Sequence, residues 1–336
     1  MKTLIFISIF ILSFCVFSQA HSKDEVIDIS PKVDKAIDKA LAYLASTQRS
    51  DGSWSDGGYG KNVGIISLCL MAFMSKGNLP GEGKYGHVVA KGLDWLIKQA
   101  KPSGLVQNTE RKAGGPAMYG HGLAALALSE VWGQTRRKDV GAVLRKAIDL
   151  IVKVQGKGGT WGYYSVPKDG DTSITVMQIF ALKSAHEAGI YVPKVTIEKA
   201  LKAIKKRFDK KHKMYGYSGP KNTPTSGHIG SHSAGTCIMQ ICREKDPKYT
   251  IEPMKVCISI MKKRPKHNAY FMYYGSVCTY YAGAKYYNEW RKYMEPVMLK
   301  RQRSSGQIGN TLGTAWGVLA LSLPYRYIPV YQHEEK

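Results

Sequence analysis

The chain has 336 residues, with 49 Lys and Arg against 25 Asp and Glu and a formal net charge of +24. Such a surplus predicts attraction to polyanions and says nothing about fold. Beyond the first twenty residues no run of about 18 apolar residues occurs, which excludes a further membrane-spanning helix; no C-x-x-C pair occurs either, which argues against a structural zinc site.

Residues 1–20 read as a secretory signal. Lys2 supplies the positive start, Leu4 to Phe17 an uncharged apolar run, and Ser18 and Ala20 the small residues that a signal peptidase reads. The expectation is an exported protein, periplasmic or extracellular, with residues 21–336 as one domain and no membrane span once the signal is removed. Five cysteines then remain: Cys69, Cys237, Cys242, Cys257 and Cys278. Most lie in apolar runs, so they are expected to be small core residues rather than disulfides.

The rest of the chain alternates two kinds of helix. Amphipathic, charged segments run from Val33 to Gln48, Val88 to Gln99, Val140 to Gln155, Val195 to Phe208, Ile251 to Lys263 and Tyr286 to Gln302. After each comes a Gly-containing start and a small-residue-rich apolar segment, beginning near Asn62, Tyr119, Asp171, Gly230, Tyr273 and Gly313. Segments apolar nearly all round are expected to be buried on all sides. The joining turns repeat as well: Gln48 leads to Gly52 and Trp54, Gln155 to Gly159 and Trp161, with weaker copies at Gln99, Lys213 and Gln302. An open solenoid needs polar caps. Here the last apolar helix is as apolar as the first, which predicts a closed ring. The fold class expected is all-α, an (α/α)6 toroid of six helical hairpins. A short strand is expected at Tyr163 to Val166, a loop around His228 to His232, and a loop at Asn222 to Ser226.

The Gln–Gly–Trp turns resemble the repeats of the prenyltransferase and squalene-cyclase superfamily. Met118 to Glu130 and Gly158 to Ala185 carry the likeness best, and they are similar to a bacterial branch of exported proteins. The resemblance implies an outer helix joined to an inner one in each repeat, and Gln48, Trp54, Gln155 and Trp161 as structural turn residues. It does not bring the superfamily's chemistry across intact. Triterpene cyclases carry a D-x-D-D-T acid motif, whereas this chain has Asp169-Gly170-Asp171-Thr172-Ser173 and loses a carboxylate in either register. Protein prenyltransferases hold zinc with Asp, Cys and His; Asp171, Cys237 and His232 exist here at different spacing.

In a closed toroid the inner-helix starts converge on one mouth, where free N–H groups and helix dipoles favour polar or anionic ligands. The candidate ligand-binding residues are Asn62, His121, Asp171, His232, Tyr273, Tyr274 and Trp316, and the candidate catalytic ones His121, Asp171, His232 and Tyr273. Asp171 also reads as a helix cap, and His121 as a packed core residue. Basic runs at Lys98–Lys101, Lys205–Lys213, Lys262–Lys266 and Lys300–Arg303 fall near outer-helix ends, predicting a positive mouth. No metal, cofactor or specific nucleic acid is expected. The favoured reading is a module that holds an anionic polysaccharide or other polyanion. An acidic-polysaccharide lyase and an isoprenoid-active enzyme are the alternatives. A mouth plugged by the Trp54 and Trp161 turns would exclude the lyase; a filled interior would exclude the isoprenoid enzyme.

Overall fold

A computed structural model describes residues 27–108, 116–219, 228–263, 268–325 and 327–328. The signal segment and the Asn222–Ser226 turn lie outside the described residues. In chain order the helices are α1 (Pro31–Ser46), α2 (Val63–Met74), α3 (Gly86–Lys98), α4 (Met118–Thr135), α5 (Lys138–Lys153) and α6 (Thr172–Glu187). They continue as α7 (Lys194–Lys205), α8 (Ile229–Ile241), α9 (Ile251–Lys263), α10 (Ala269–Tyr281), α11 (Ala284–Arg301) and α12 (Thr311–Ser322). Two short antiparallel hairpins accompany them: β1 (Ser55–Asp56) with β2 (Gly60–Lys61), and β3 (Phe208–Asp209) with β4 (Met214–Tyr215).

The two helix types do what their patterns demand. α1 buries one face, led by Val33, Ile37, Leu41 and Leu44, whereas α2 buries all twelve of its residues. The even-numbered helices form the inner ring: α2 packs on α4, α4 on α6, α6 on α8, α8 on α10, α10 on α12, and α12 returns to α2. The odd-numbered helices lie outside it. The chain is therefore an (α/α)6 toroid.

The repeat turns lock each hairpin to the next. Gln48 Nε2 donates to Gly52 O at 3.0 Å and Val88 O at 2.9 Å. Gln155 Nε2 does the same with Gly159 O and Thr196 O, both at 2.9 Å. Gln302 Nε2 reaches Gly306 O at 3.1 Å and Ala36 O at 2.7 Å, tying the last outer helix to the first. The glycine in each turn has φ of +88°, +100° or +94°, and an added Cβ would fall 2.3, 2.5 or 2.1 Å from a carbonyl oxygen of the following outer helix. Only glycine suits such a position. Trp54 and Trp161 are fully buried and donate through Nε1 to Leu44 O and Ile151 O, each at 2.7 Å. Gln99 departs from the pattern by donating back to Trp95 O at 3.0 Å.

Two local expectations need correction. No strand forms at 163–166. The Tyr163 carbonyl instead accepts from Ala117 N at 2.9 Å and Met118 N at 3.1 Å, so the segment caps the start of α4. Nor is His232 in a loop: α8 begins at Ile229. Gly230 does not break that helix; a Cβ there would meet the Tyr270 ring at 3.1 Å, so the glycine makes room for a neighbour. Among the described residues no helix is long and apolar enough to cross a membrane.

Candidate functional site

Successive helical residues turn by about 100°, so only one phase of each inner helix faces the toroid axis near its start. That phase centres on the second residue of every inner helix, joined by the third, Ile65, Gly120, Ser231 and Gly313, in α2, α4, α8 and α12. Gly64, Tyr119, Ser173, Gly230, Tyr270 and Leu312, one from each inner helix, all line a cavity of about 780 Å³ at the mouth. Leu68, Leu123, Met177 and Trp316, each the sixth residue of its helix, form the floor. Four residues at 1.5 Å rise put that floor only about 6 Å below the ring. At that level Trp316 packs on Tyr273 and Tyr274, and Tyr274 on Phe180, at ring-centroid distances of 4.5, 5.8 and 5.7 Å. The site is a shallow bowl over a filled core.

The rim is built from helix caps. Asn62, Asn268 and Asn310 accept helix N–H bonds through Oδ1, from Gly64 at 2.9 Å, Phe271 at 2.9 Å and Gly313 at 2.8 Å. This is ordinary N-cap chemistry, and it leaves three side-chain amides at the edge of the cavity. Asn310 turns its Nδ2 onto buried Asp56, at 2.9 Å from Oδ2.

Asp171 caps α6 through Oδ1, which accepts from Ile174 N at 2.9 Å. Its other oxygen accepts from the Tyr163 hydroxyl, and that hydroxyl lies 2.5 Å from the Tyr217 hydroxyl. Asp171 is nearly buried and does not itself line the cavity. Tyr217 does, with its ring stacked on His228 at 4.9 Å and 21°. Burial, then the Asp171 carboxylate, push the Tyr217 and Tyr119 phenols well above their usual range. These phenols stay protonated and act as hydrogen-bond donors, the opposite of what a tyrosine base requires.

The sequence-based candidates divide accordingly. Asn62 and Trp316 line the cavity. His121 and His232 do not. Each is the fourth residue of its helix, about 200° from the second, so each points back to the turn before it. His121 Nδ1 accepts from Val106 N at 3.1 Å, and Nε2 lies 3.3 Å from Ala147 O. Burial pushes its imidazole down to about 4. His232 Nδ1 accepts from Tyr215 N at 3.3 Å, and its Nε2 has no nitrogen or oxygen partner and lies beside the Cys257 thiol. Tyr273 and Tyr274, the fifth and sixth residues of α10, pack against Trp316 and do not line the cavity. Tyr59, Tyr119, Tyr217, Tyr270 and His228 line the bowl and were not among the candidates; Tyr119 and Tyr270 stand at position two of α4 and α10 and His228 just before α8, while Tyr59 and Tyr217 come from the preceding turns.

Of the basic runs expected at the mouth, Arg264 to Lys266 lie outside the described residues. Among the described lining residues there is no Lys, Arg, Asp or Glu. Outer-helix ends lie one layer outward, where Lys205 pairs with Glu244 at 2.5 Å and Lys213 with Glu252 at 3.3 Å. Arg207 turns inward, but is spent on Thr172 Oγ1 and Tyr217 O, both at 3.1 Å.

No family model matches this sequence, and no curated protein matches it. Solved structures match it in shape. An inactive variant of the α-1,6-mannanase GH76A from a Salegentibacter species, in complex with α-1,6-mannotriose, superposes with a TM-score of 0.65 at 9% identity, over 88% of this chain and 99% of that one. The type II terpene cyclase MstE from Scytonema, in complex with geranylgeranyl dihydroxybenzoate, gives 0.59 at 10% identity, over 89% and 98%. The likeness is one of fold.

The mannanase variant is inactive through change of two adjacent aspartates, and this sequence contains no Asp-Asp pair. Asp169, the first carboxylate of the acid-like segment, accepts from Gly158 N at 2.9 Å, Thr160 N at 3.1 Å and Thr160 Oγ1 at 2.9 Å. Burial pushes its carboxyl up, but these bonds outweigh it and hold the group below the usual range. It is kept ionised, as a turn lock rather than a proton donor. Asp171, Cys237 and His232 do not form a metal-holding group among the described residues.

Proposed function

We propose that this protein is an exported binding module that holds a polysaccharide, acidic in character, at the toroid mouth. One observation carries the reading: the bowl combines aromatic faces from Tyr59, Tyr119, Tyr217, Tyr270 and Trp316 with the amides of Asn62, Asn268 and Asn310 and no described charged side chain. Aromatic faces pack on the apolar faces of sugar rings, while amides and hydroxyls match their OH groups. The charge of +24 supports the acidic part of the proposal, through long-range attraction to the outer surface rather than contact in the bowl. The mannotriose held by a protein of the same fold supports the choice of a glycan.

Binding rather than cleavage is favoured by what lines the bowl. Glycoside hydrolysis takes two carboxylates roughly 5–10 Å apart, and none lines it among the described residues. A lyase needs a deprotonated base beside a charge neutraliser, and the phenols are pushed the wrong way. The Trp54 and Trp161 turns do not plug the mouth, since both rings are buried and do not line it. The shallow bowl over Phe180 and Tyr274 suits a glycan better than a long isoprenoid chain.

The test is a tryptophan-fluorescence and calorimetric titration with oligogalacturonides, heparin oligosaccharides and α-1,6-mannotriose. Saturable binding that is lost in Tyr270→Ala is the expected result. Absence of binding to all three sinks the proposal, and release of cleaved product would replace it with an enzymatic one.

A further inference from the structure

The cysteines of the described residues are free thiols, and Cys69, Cys237, Cys257 and Cys278 are buried. Burial fits the core role expected from their apolar runs. Two of them also meet. Cys257 is the seventh residue of outer helix α9 and Cys278 the tenth of inner helix α10, and the two helices pack together as the fifth hairpin. Their thiols are hydrogen-bonded to each other across that helix pair, and Cys278 Sγ lies 3.3 Å from Gly275 O.

The surroundings of the pair are polar on the side of α8. His232 is fully buried, and its Nδ1 accepts from Tyr215 N at 3.3 Å. A neutral imidazole that accepts at Nδ1 carries its proton on Nε2. That Nε2 has no nitrogen or oxygen partner and lies beside the Cys257 sulfur, which is therefore its acceptor. The Thr236 hydroxyl, one turn further along α8, also reaches Cys257. Burial pushes the Cys257 thiol up, but the bonds from Cys278 and His232 outweigh it and hold the group below its usual range. Cys69, Cys237 and Cys278 go the other way, pushed up chiefly by burial. One sulfur of the pair is thus poised as a thiolate, the nucleophilic form, and its neighbour is kept as a thiol.

We propose that Cys257 and Cys278 are a disulfide-forming pair, a site of covalent modification that ties outer helix α9 to inner helix α10. The inference is independent of what the mouth binds. The co-reactant is a disulfide, of a small molecule or of an oxidising protein, and export of the chain would bring it to such oxidants. The Cys257 thiolate attacks one sulfur of that disulfide, forms a mixed disulfide and expels the first thiolate. The Cys278 sulfur then attacks Cys257 Sγ, the intramolecular S–S bond forms, and the second thiolate leaves. Two electrons pass from the cysteine pair to the oxidant, and the two cysteine protons end on the two thiols released. His232 and Thr236 favour the attacking thiolate as hydrogen-bond donors and take no proton. Both sulfurs are fully buried, so the exchange occurs when α9 is undocked from α10, during folding or in a local opening.

The experiment starts from the full-length protein reduced with dithiothreitol. The folded protein is incubated with oxidised glutathione in urea below its unfolding midpoint, where local opening exposes the pair. Free thiols are then alkylated in denaturant and the peptides mapped by mass spectrometry. The expected product is a cross-link between Cys257 and Cys278. The oxidised protein should melt roughly 5 °C above the reduced one, because the bridge closes a loop between two helices. In Cys278→Ala the second step is blocked, so glutathione should stay on Cys257 and the gain in melting temperature should vanish. Alkylation of both Cys257 and Cys278 in the wild-type protein overturns the proposal. So does a bridge from Cys257 to Cys237 or Cys242 instead, or a Cys257–Cys278 bridge that leaves the melting temperature unchanged. The wild-type map decides the matter even if Cys278→Ala does not fold.

Discussion

Position two and position four of the inner helices lie on the same six rods, about 200° apart, and have opposite chemical roles. At position four the polar side chains are tied to backbone. His121 and His232 accept an N–H from the turn before them, Thr314 Oγ1 accepts from Ile308 N at 2.9 Å, and Thr175 donates to Asp171 O at 2.7 Å. At position two Tyr119, Ser173 and Tyr270 face the bowl. An imidazole at a helix start is thus a staple when it points outward and would be a ligand group only two residues earlier. In a toroid a polar residue's role follows its phase on the helix.

That contrast can be broken by substitution, and the largest effect is expected where backbone itself is involved. Gly159→Ala places a Cβ 2.5 Å from Lys199 O at φ of +100°, and should lower unfolding stability by about 3 kcal/mol, measured by urea denaturation. His121→Ala leaves the Val106 N–H and Ala147 carbonyl without partners in a fully buried site. It should cost about 2–4 kcal/mol while the remaining folded protein keeps its ligand affinity. An equal loss of affinity would mean that position four reaches the ligand after all.

The same residue sets an acid limit. The His121 imidazole sits near 4 when folded, depressed by burial, against about 6.5 when unfolded. The unfolded chain therefore binds the extra proton first. The stability of the neutral buried form is complete above about pH 6.5 and is lost as pH falls towards 4, by up to about 3 kcal/mol. Thermal melts across that window should show the slope in wild type and a shallower one in His121→Gln.

Position-two and rim substitutions should behave in the reverse way. Tyr59→Ala removes a largely exposed ring, so stability should stay within about 0.5 kcal/mol while glycan affinity falls several-fold. The smallest effect should come from salt. Raising ionic strength should weaken capture of a long acidic polymer, which depends on the outer charge, and leave a short neutral oligosaccharide nearly unaffected. Equal salt sensitivity for both would place charge inside the bowl.

Much of the fold was legible because it is periodic. The alternation of amphipathic and all-apolar helices, the turn glycines, the buried Trp54 and Trp161 and the N-cap at Asn62 all follow from spacing and from the demands of local backbone. The polarity of the ring, with every inner-helix start at one mouth, follows as well. The lining of the bowl was legible only in part: Asn62 and Trp316 line it, while His121, His232, Tyr273 and Tyr274, singled out by chemical type, pack in the layers around it.

By itself the sequence determined a closed ring of six helical hairpins, because apolar periodicity and the Gln–Gly turns act over a few residues at a time. Only the tertiary structure decided which phase of each inner helix faces the axis and which residues stand opposite one another. A shift of one residue rotates a side chain by about 100°, and that rotation is set by packing against two neighbouring inner helices and an outer one. Charge was decided in the same way. A chain at +24 nonetheless presents an uncharged bowl among its described residues, because the helix ends that carry the lysines lie a full layer outside the ring that forms it.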